Sequence, residues 1–186
     1  MLYQWSCNHP NGRHEVMTKT RHVCFEEVMF SAYDVALGIW LKHFVELFEL
    51  TDLRTDEWWI EKADWWRVVA AVDPYGIDFD EGWTPELREQ FVTLAESVNA
   101  KLAERTEIPA SEVASWDLGD GLTIWPRCAL TESISTAPVI ELGVAMIDLV
   151  QRILPATPVP GWWFVGTGPM RVFSPPSKID TIVSAG

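Results

Sequence analysis

Two pairs of adjacent tryptophans, Trp58-Trp59 and Trp65-Trp66, stand seven residues apart in a stretch that reads as one helix. Seven residues is close to two helical turns. At about 100° per residue the four indoles therefore fall in one stripe roughly 120° wide, with Lys62 and Val69 between them. Glu57, Glu61, Asp64 and Arg67 lie outside it. An apolar stripe on an amphipathic helix usually faces inward, so the first reading of these rings is core. Four indoles are hard to bury completely, however, and each N–H needs a partner once enclosed. At least two are expected in the core. Trp58 and Trp59 are read as anchors for a partner, because tryptophan is enriched where proteins dock.

The rest of the chain supports an α+β single domain over residues 1–186, with about four main helices and short antiparallel strands near both termini. Residues 2–7 and 14–17 read as strands around an Asn11-Gly12 turn. Residues 22–30 read as a further strand or a lead-in to helix. Ser31 with Asp34 resembles a capping box ahead of a largely buried helix near 32–50. Thr55 is placed to cap a second helix near 56–72, which stops at Asp73-Pro74. Thr84-Pro85-Glu86 starts a third helix with a hydroxyl cap, proline in the first turn and an acid at the positive dipole end. Its apolar stripe is Leu87, Phe91, Leu94, Val98 and Leu102. A short helix near 110–116, a strand at 122–125 and a last helix from Pro138 to before Pro155 follow. Residues 162–165 and 170–173 flank a Gly-rich turn and read as a hairpin. Residues 1–16 and 174–186 are expected as loosely attached ends.

Charge is distributed as unevenly as tryptophan. The chain of 186 residues has a formal net charge of −13. Residues 46–89 hold 13 acidic and 4 basic side chains, a balance of −9. The same segment carries five of the eleven tryptophans. A balance this negative argues against a phosphate-backbone binder, so no nucleic-acid partner is expected. No run approaches the ~20 apolar residues that cross a bilayer, so no membrane role is expected either. The N-terminal residues lack a secretory-signal pattern. Three cysteines, an odd number, make no disulfide framework, and a reducing cytoplasm is the simplest setting.

Motifs that carry chemistry are sparse. Cys7-x-His9 and His22-x-Cys24 have residue types that bind zinc, and strand spacing puts residues two apart on one face. The one-residue gap departs from the usual zinc knuckle, so Cys7, His9, His22 and Cys24 are weak candidates and no cofactor is assigned. His14-Glu15 opens like a zinc-protease helix but meets Thr18 where the second histidine must stand. Asp78, Asp80 and Glu81 resemble part of a calcium loop, yet Trp83 and Pro85 do not suit its turn. There is no nucleophile elbow and no phosphate-binding loop.

Together these features favour a small acidic intracellular binding module. Such a module, of inhibitor or immunity type, would occupy a basic protein partner through Trp58, Trp59, Asp64, Asp78, Asp80 and Glu81. The acids would speed capture and the indoles slow release. Two alternatives stand beside it. One is an enzyme with an unfamiliar, metal-assisted site in the His/Cys-rich head. The other is a structural or accessory subunit of a larger assembly.

Overall fold

The computed structural model describes residues 6–8, 14–16, 20–26, 28–71, 76–79, 82–119, 121–122, 133–154, 163–165 and 172–173. In chain order its elements are β1 (Ser6–Asn8), β2 (His14–Val16), β3 (Thr20–Phe25), β4 (Val28–Tyr33), α1 (Asp34–Phe48), α2 (Glu57–Ala71), β5 (Ile77–Asp78), α3 (Pro85–Ala103), β6 (Glu107–Ile108), α4 (Ala110–Ser115), β7 (Ile134–Ser135), α5 (Thr136–Val150), β8 (Trp163–Val165) and β9 (Val172–Phe173). A short 3-10 turn, Asp52–Thr55, joins α1 to α2. This is an α+β fold, as the residue pattern implies. No helix among the described residues is long and apolar enough to cross a membrane. The strand expected at 122–125 lies largely outside the described residues, as does the tail from residue 174.

Local chemistry sets the helix starts. Thr84 Oγ1 accepts the Leu87 N–H at 3.2 Å, satisfying one of the orphan donors at the head of α3. Ahead of α2 the capping residue is Asp56 rather than Thr55. Asp56 Oδ1 accepts from the backbone N–H groups of Trp58 at 2.9 Å and Trp59 at 3.3 Å. Thr55 Oγ1 instead donates to the Asp52 carbonyl within the preceding turn. Nor does Ser31 stand at the cap position of α1, which Tyr33 occupies. Ser31 lies in β4, and Asp34 opens α1 with Oδ1 accepting from the Val35 N–H at 2.8 Å.

The 22–30 stretch resolves into two strands. β3 and β4 pair antiparallel, with Thr20 opposite Tyr33 and Phe25 opposite Val28. The β1–β2, β6–β7 and β8–β9 pairs are antiparallel as well. Two parallel pairings join the others: Val23 with Ile77 in β5, and Ala32 with Val165 in β8. The result is a five-stranded sheet in the order β5-β3-β4-β8-β9. Parallel neighbours require long crossovers, and here α1 to α5 lie in the chain between β4 and β8. β3 and β4 thus share one sheet with β8 and β9, whereas β1 and β2 form a two-stranded sheet of their own, and α5 packs on β3, β4 and β8 as well as on α1 and α3.

The core lies between that sheet and α1, α2, α3 and α5. Phe91, Leu94, Val98 and Leu102 are buried along α3, and Leu87 packs partly against them. Three helices meet tightly at Gly143 of α5, beside the 3.0 Å hydrogen bond from Trp40 Nε1 of α1 to Asn99 Oδ1 of α3. A Cβ at Gly143 would collide with both atoms of that bond. A helix-interior glycine costs about 1 kcal/mol against alanine, yet the collision is the larger effect. Gly143→Ala is therefore expected to destabilise the fold by on the order of 2 kcal/mol. Urea unfolding checks this, and a variant as stable as the parent would contradict the packing described.

Candidate functional site

The rotation of α2 decides which of its side chains meet solvent. Ala63, Ala70, Trp59 and Trp66 centre its buried face. The exposed arc, roughly 140° wide at helical spacing, carries Ile60, Asp64, Glu57, Glu61 and Trp65. The four-indole stripe is therefore split down its length. Trp59 is 0% exposed, stacks on Phe44 at 6.2 Å and donates its indole N–H to Gln90 Oε1 at 2.7 Å. Trp66 meets Phe44 edge-on at 4.9 Å. Trp58 is half-buried, edge-on to Trp59 at 5.0 Å and to Trp83 at 4.9 Å, with Lys62 Nζ 5.6 Å from its ring centre. Trp65 is 42% exposed. Trp59, expected as an anchor for a partner, has no free ring surface, because Phe44, Phe48, Trp66 and Trp83 surround it.

Beside the exposed arc, a cleft of about 510 Å³ opens between α1, α2 and the segment after α4. Lys42 and Glu46 line it from α1, Glu49 from just past the end of α1, Asp64 and Arg67 from α2, and Asp117 from the third side. Four carboxylates thus face two cations. Arg67 spans the α1–α2 side, with Nη2 2.7 Å from Glu49 Oε1 and Nη1 2.5 Å from Asp64 Oδ1. Glu46 is held from three directions: Lys42 Nζ at 2.6 Å, His43 Nδ1 at 3.3 Å and Lys101 Nζ at 3.4 Å. Lys42 also lies 4.1 Å from the centre of the Trp116 ring. The His43 contact and these ammonium groups, working against partial burial, hold the Glu46 carboxyl at about 2 rather than 4.5.

The remaining sequence candidates are dispersed. Asp78 is exposed on β5, in register with Cys24 at one side of the five-stranded sheet, and is not among the residues lining the cleft. Asp80 and Glu81 lie outside the described residues. Gly82, just after them, returns the chain against Trp58 with φ +74, where an added Cβ would crowd the indole nitrogen. Cys7 lies in β1, and His9 lies outside the described residues. His22 is exposed on β3, and half-buried Cys24 directs its thiol to the Ile77 carbonyl at 3.4 Å. Among the described residues no group of three or more His, Cys, Asp or Glu side chains is placed to hold a metal ion.

The sequence reading missed Lys42, His43, Glu46, Glu49, Arg67 and Asp117 as one constellation. The available signal was three polar residues, Lys42, His43 and Glu46, at one-turn spacing inside an otherwise apolar helix. Their partners come from α2, α3 and the segment after α4, which local spacing does not reveal. Comparison with known proteins gave no match: no family model, no curated protein and no solved structure matches the chain significantly.

The lowered Glu46 carboxyl fixes the sign of an acid effect. Its contribution to stability is present above about pH 4.5 and lost as pH falls toward about 2. Glu46→Gln is expected to unfold at lower urea than the parent at neutral pH, with the difference closing near pH 2. A difference of the same size at both ends would contradict the three-way clamp.

Proposed function

We propose that this chain is a small acidic protein-binding module that occupies a basic partner protein, as an inhibitor or immunity-type protein does. One observation carries the reading. The exposed arc of α2 presents Glu57, Glu61 and Asp64 around the half-exposed rings and alkyl groups of Trp65 and Ile60, beside a cleft with twice as many carboxylates as cations. Acids of this kind raise encounter rates with a positive surface, and an indole at the centre of the contact slows dissociation. Asp64 serves both features, since it lies on the arc and lines the cleft. Trp58 contributes from the edge of the same helix. The net charge of −13 disfavours a nucleic-acid partner. A cytoplasmic setting rests on the odd number of cysteines.

Two charge variants test the surface while holding total charge equal. Glu61→Lys with Asp64→Lys alters the α2 arc. Glu89→Lys with Glu96→Lys alters exposed positions of α3. The tagged full chain is used to capture protein from its native host at low salt and at about 0.5 M salt, where exposed charges are screened. The expected result is one basic protein, identified by mass spectrometry, held at low salt by the parent and the α3 variant and lost from the α2 variant. Trp65→Ala is expected to raise its dissociation rate by about tenfold. Recovery of no basic protein by the parent, or equal retention by both charge variants, would overturn the proposal.

A further inference from the structure

One titratable group lies deep beside the cleft without serving as part of its lining. His43 of α1 is only 7% exposed. Its Nδ1 stands 3.3 Å from Glu46 Oε2 without the alignment of a hydrogen bond, and its Nε2 meets no acceptor among the described residues. Its ring meets Trp116 edge-on at 5.4 Å. Burial of this kind penalises the charged imidazole, and Glu46 beside Nδ1 offsets that only in part.

The charged neighbours leave no room for another cation. Lys42 comes from the same helix, Lys101 from α3, and both already share Glu46. The other carboxylate of the cluster, Glu112 of α4, is taken at two points by Arg105, at 2.7 and 2.8 Å. Three cations thus face two carboxylates before His43 is charged. The Trp116 ring, which could otherwise receive a cation on its face, already faces Lys42. Burial, the largest influence, holds His43 below the ordinary 6.5. Lys42 and Lys101 push the same way, and Glu46 opposes them.

Relief must come from the least anchored neighbour. α1 and α3 are long helices fixed by the aromatic core. Trp116 is half-buried and follows a helix of only six residues. Asp117, next in the chain, is exposed on the wall of the cleft, and Leu118 after it is buried in the core and donates its N–H to the Leu122 carbonyl at 2.7 Å. We propose that His43 is a proton-operated latch: uptake of one proton from solvent drives the ring from its pocket and lifts Trp116 off α1, at the Asp117 side of the cleft. Acidification would then alter the surface offered to a basic partner. That consequence rests on the proposed function, whereas the latch does not.

Hydrogen exchange on the full chain without any partner tests the latch alone, so its failure is distinguishable from failure of the binding proposal. Protection of residues 113–119, corrected for the intrinsic pH dependence of amide exchange, is compared at about pH 7.5 and at about one unit below the His43 midpoint found by NMR titration. The parent is expected to lose about tenfold in protection there, and His43→Gln to lose none. Equal loss in both, or none in the parent, would overturn the latch. NMR titration of the parent provides a second readout that needs no variant. The Trp116 indole signal is expected to shift with the His43 midpoint, below 6.5. A His43 midpoint at or above 6.5, or a Trp116 signal that ignores it, would also overturn the proposal.

Discussion

Phe44 is the point at which the helices are tied together. Its ring lies 4.9 Å from Trp66, 5.2 Å from Trp40, 5.5 Å from Phe91 and 6.2 Å from Trp59, so one side chain of α1 touches both α2 and α3. Phe79 and Trp83 extend the cluster, at 5.2 and 5.6 Å from Phe91. Aromatic pairs at these separations favour particular ring orientations, and that is what fixes the rotation of α2. With Trp59 and Trp66 committed to Phe44, Glu57, Ile60, Glu61, Asp64 and Trp65 must face outward. The Trp59 indole N–H finds Gln90 and that of Trp40 finds Asn99. Trp66 and Trp83 bury theirs without an acceptor among the described residues. The rings therefore hold the surface in place at some cost in unsatisfied polar groups.

Much of the helical part was legible in the residues. The α3 start follows from Thr84 and Pro85, and its buried stripe from regular spacing. The end of α2 was read at 72 and is observed at Ala71. The strands were harder for a physical reason. The turn between β3 and β4 passes through Glu26 at φ 55, a left-handed conformation that glycine or asparagine normally signals and glutamate does not. The parallel pairings of β5 and β8 join residues far apart in sequence, so no local pattern announces them.

The candidate site divides in the same way. Asp64 and the tryptophans of α2 could be named because periodicity speaks for one helix at a time. Periodicity gave the stripe but not its centre, and the centre decides that Trp59 enters the core while Trp65 remains half-exposed. The cleft was illegible because it is closed by contacts between elements, Glu46 with Lys101 of α3 and Arg67 with Glu49 at the end of α1. Nor are all the acids of residues 46–89 equivalent. Glu46 is held internally by three cationic or imidazole groups, and Glu49 and Asp64 share Arg67. The negative potential offered to a partner therefore comes most directly from Glu57 and Glu61, with Asp64 at the junction with the cleft.

That division gives the account a kinetic signature. Charges around an apolar anchor govern how fast a partner arrives, and the anchor governs how long it stays. The most direct measurement is the association rate of this chain with its captured basic partner as a function of ionic strength. The association rate is expected to fall at least tenfold from low to high salt, with a dissociation rate that changes little. An association rate indifferent to salt would contradict that division.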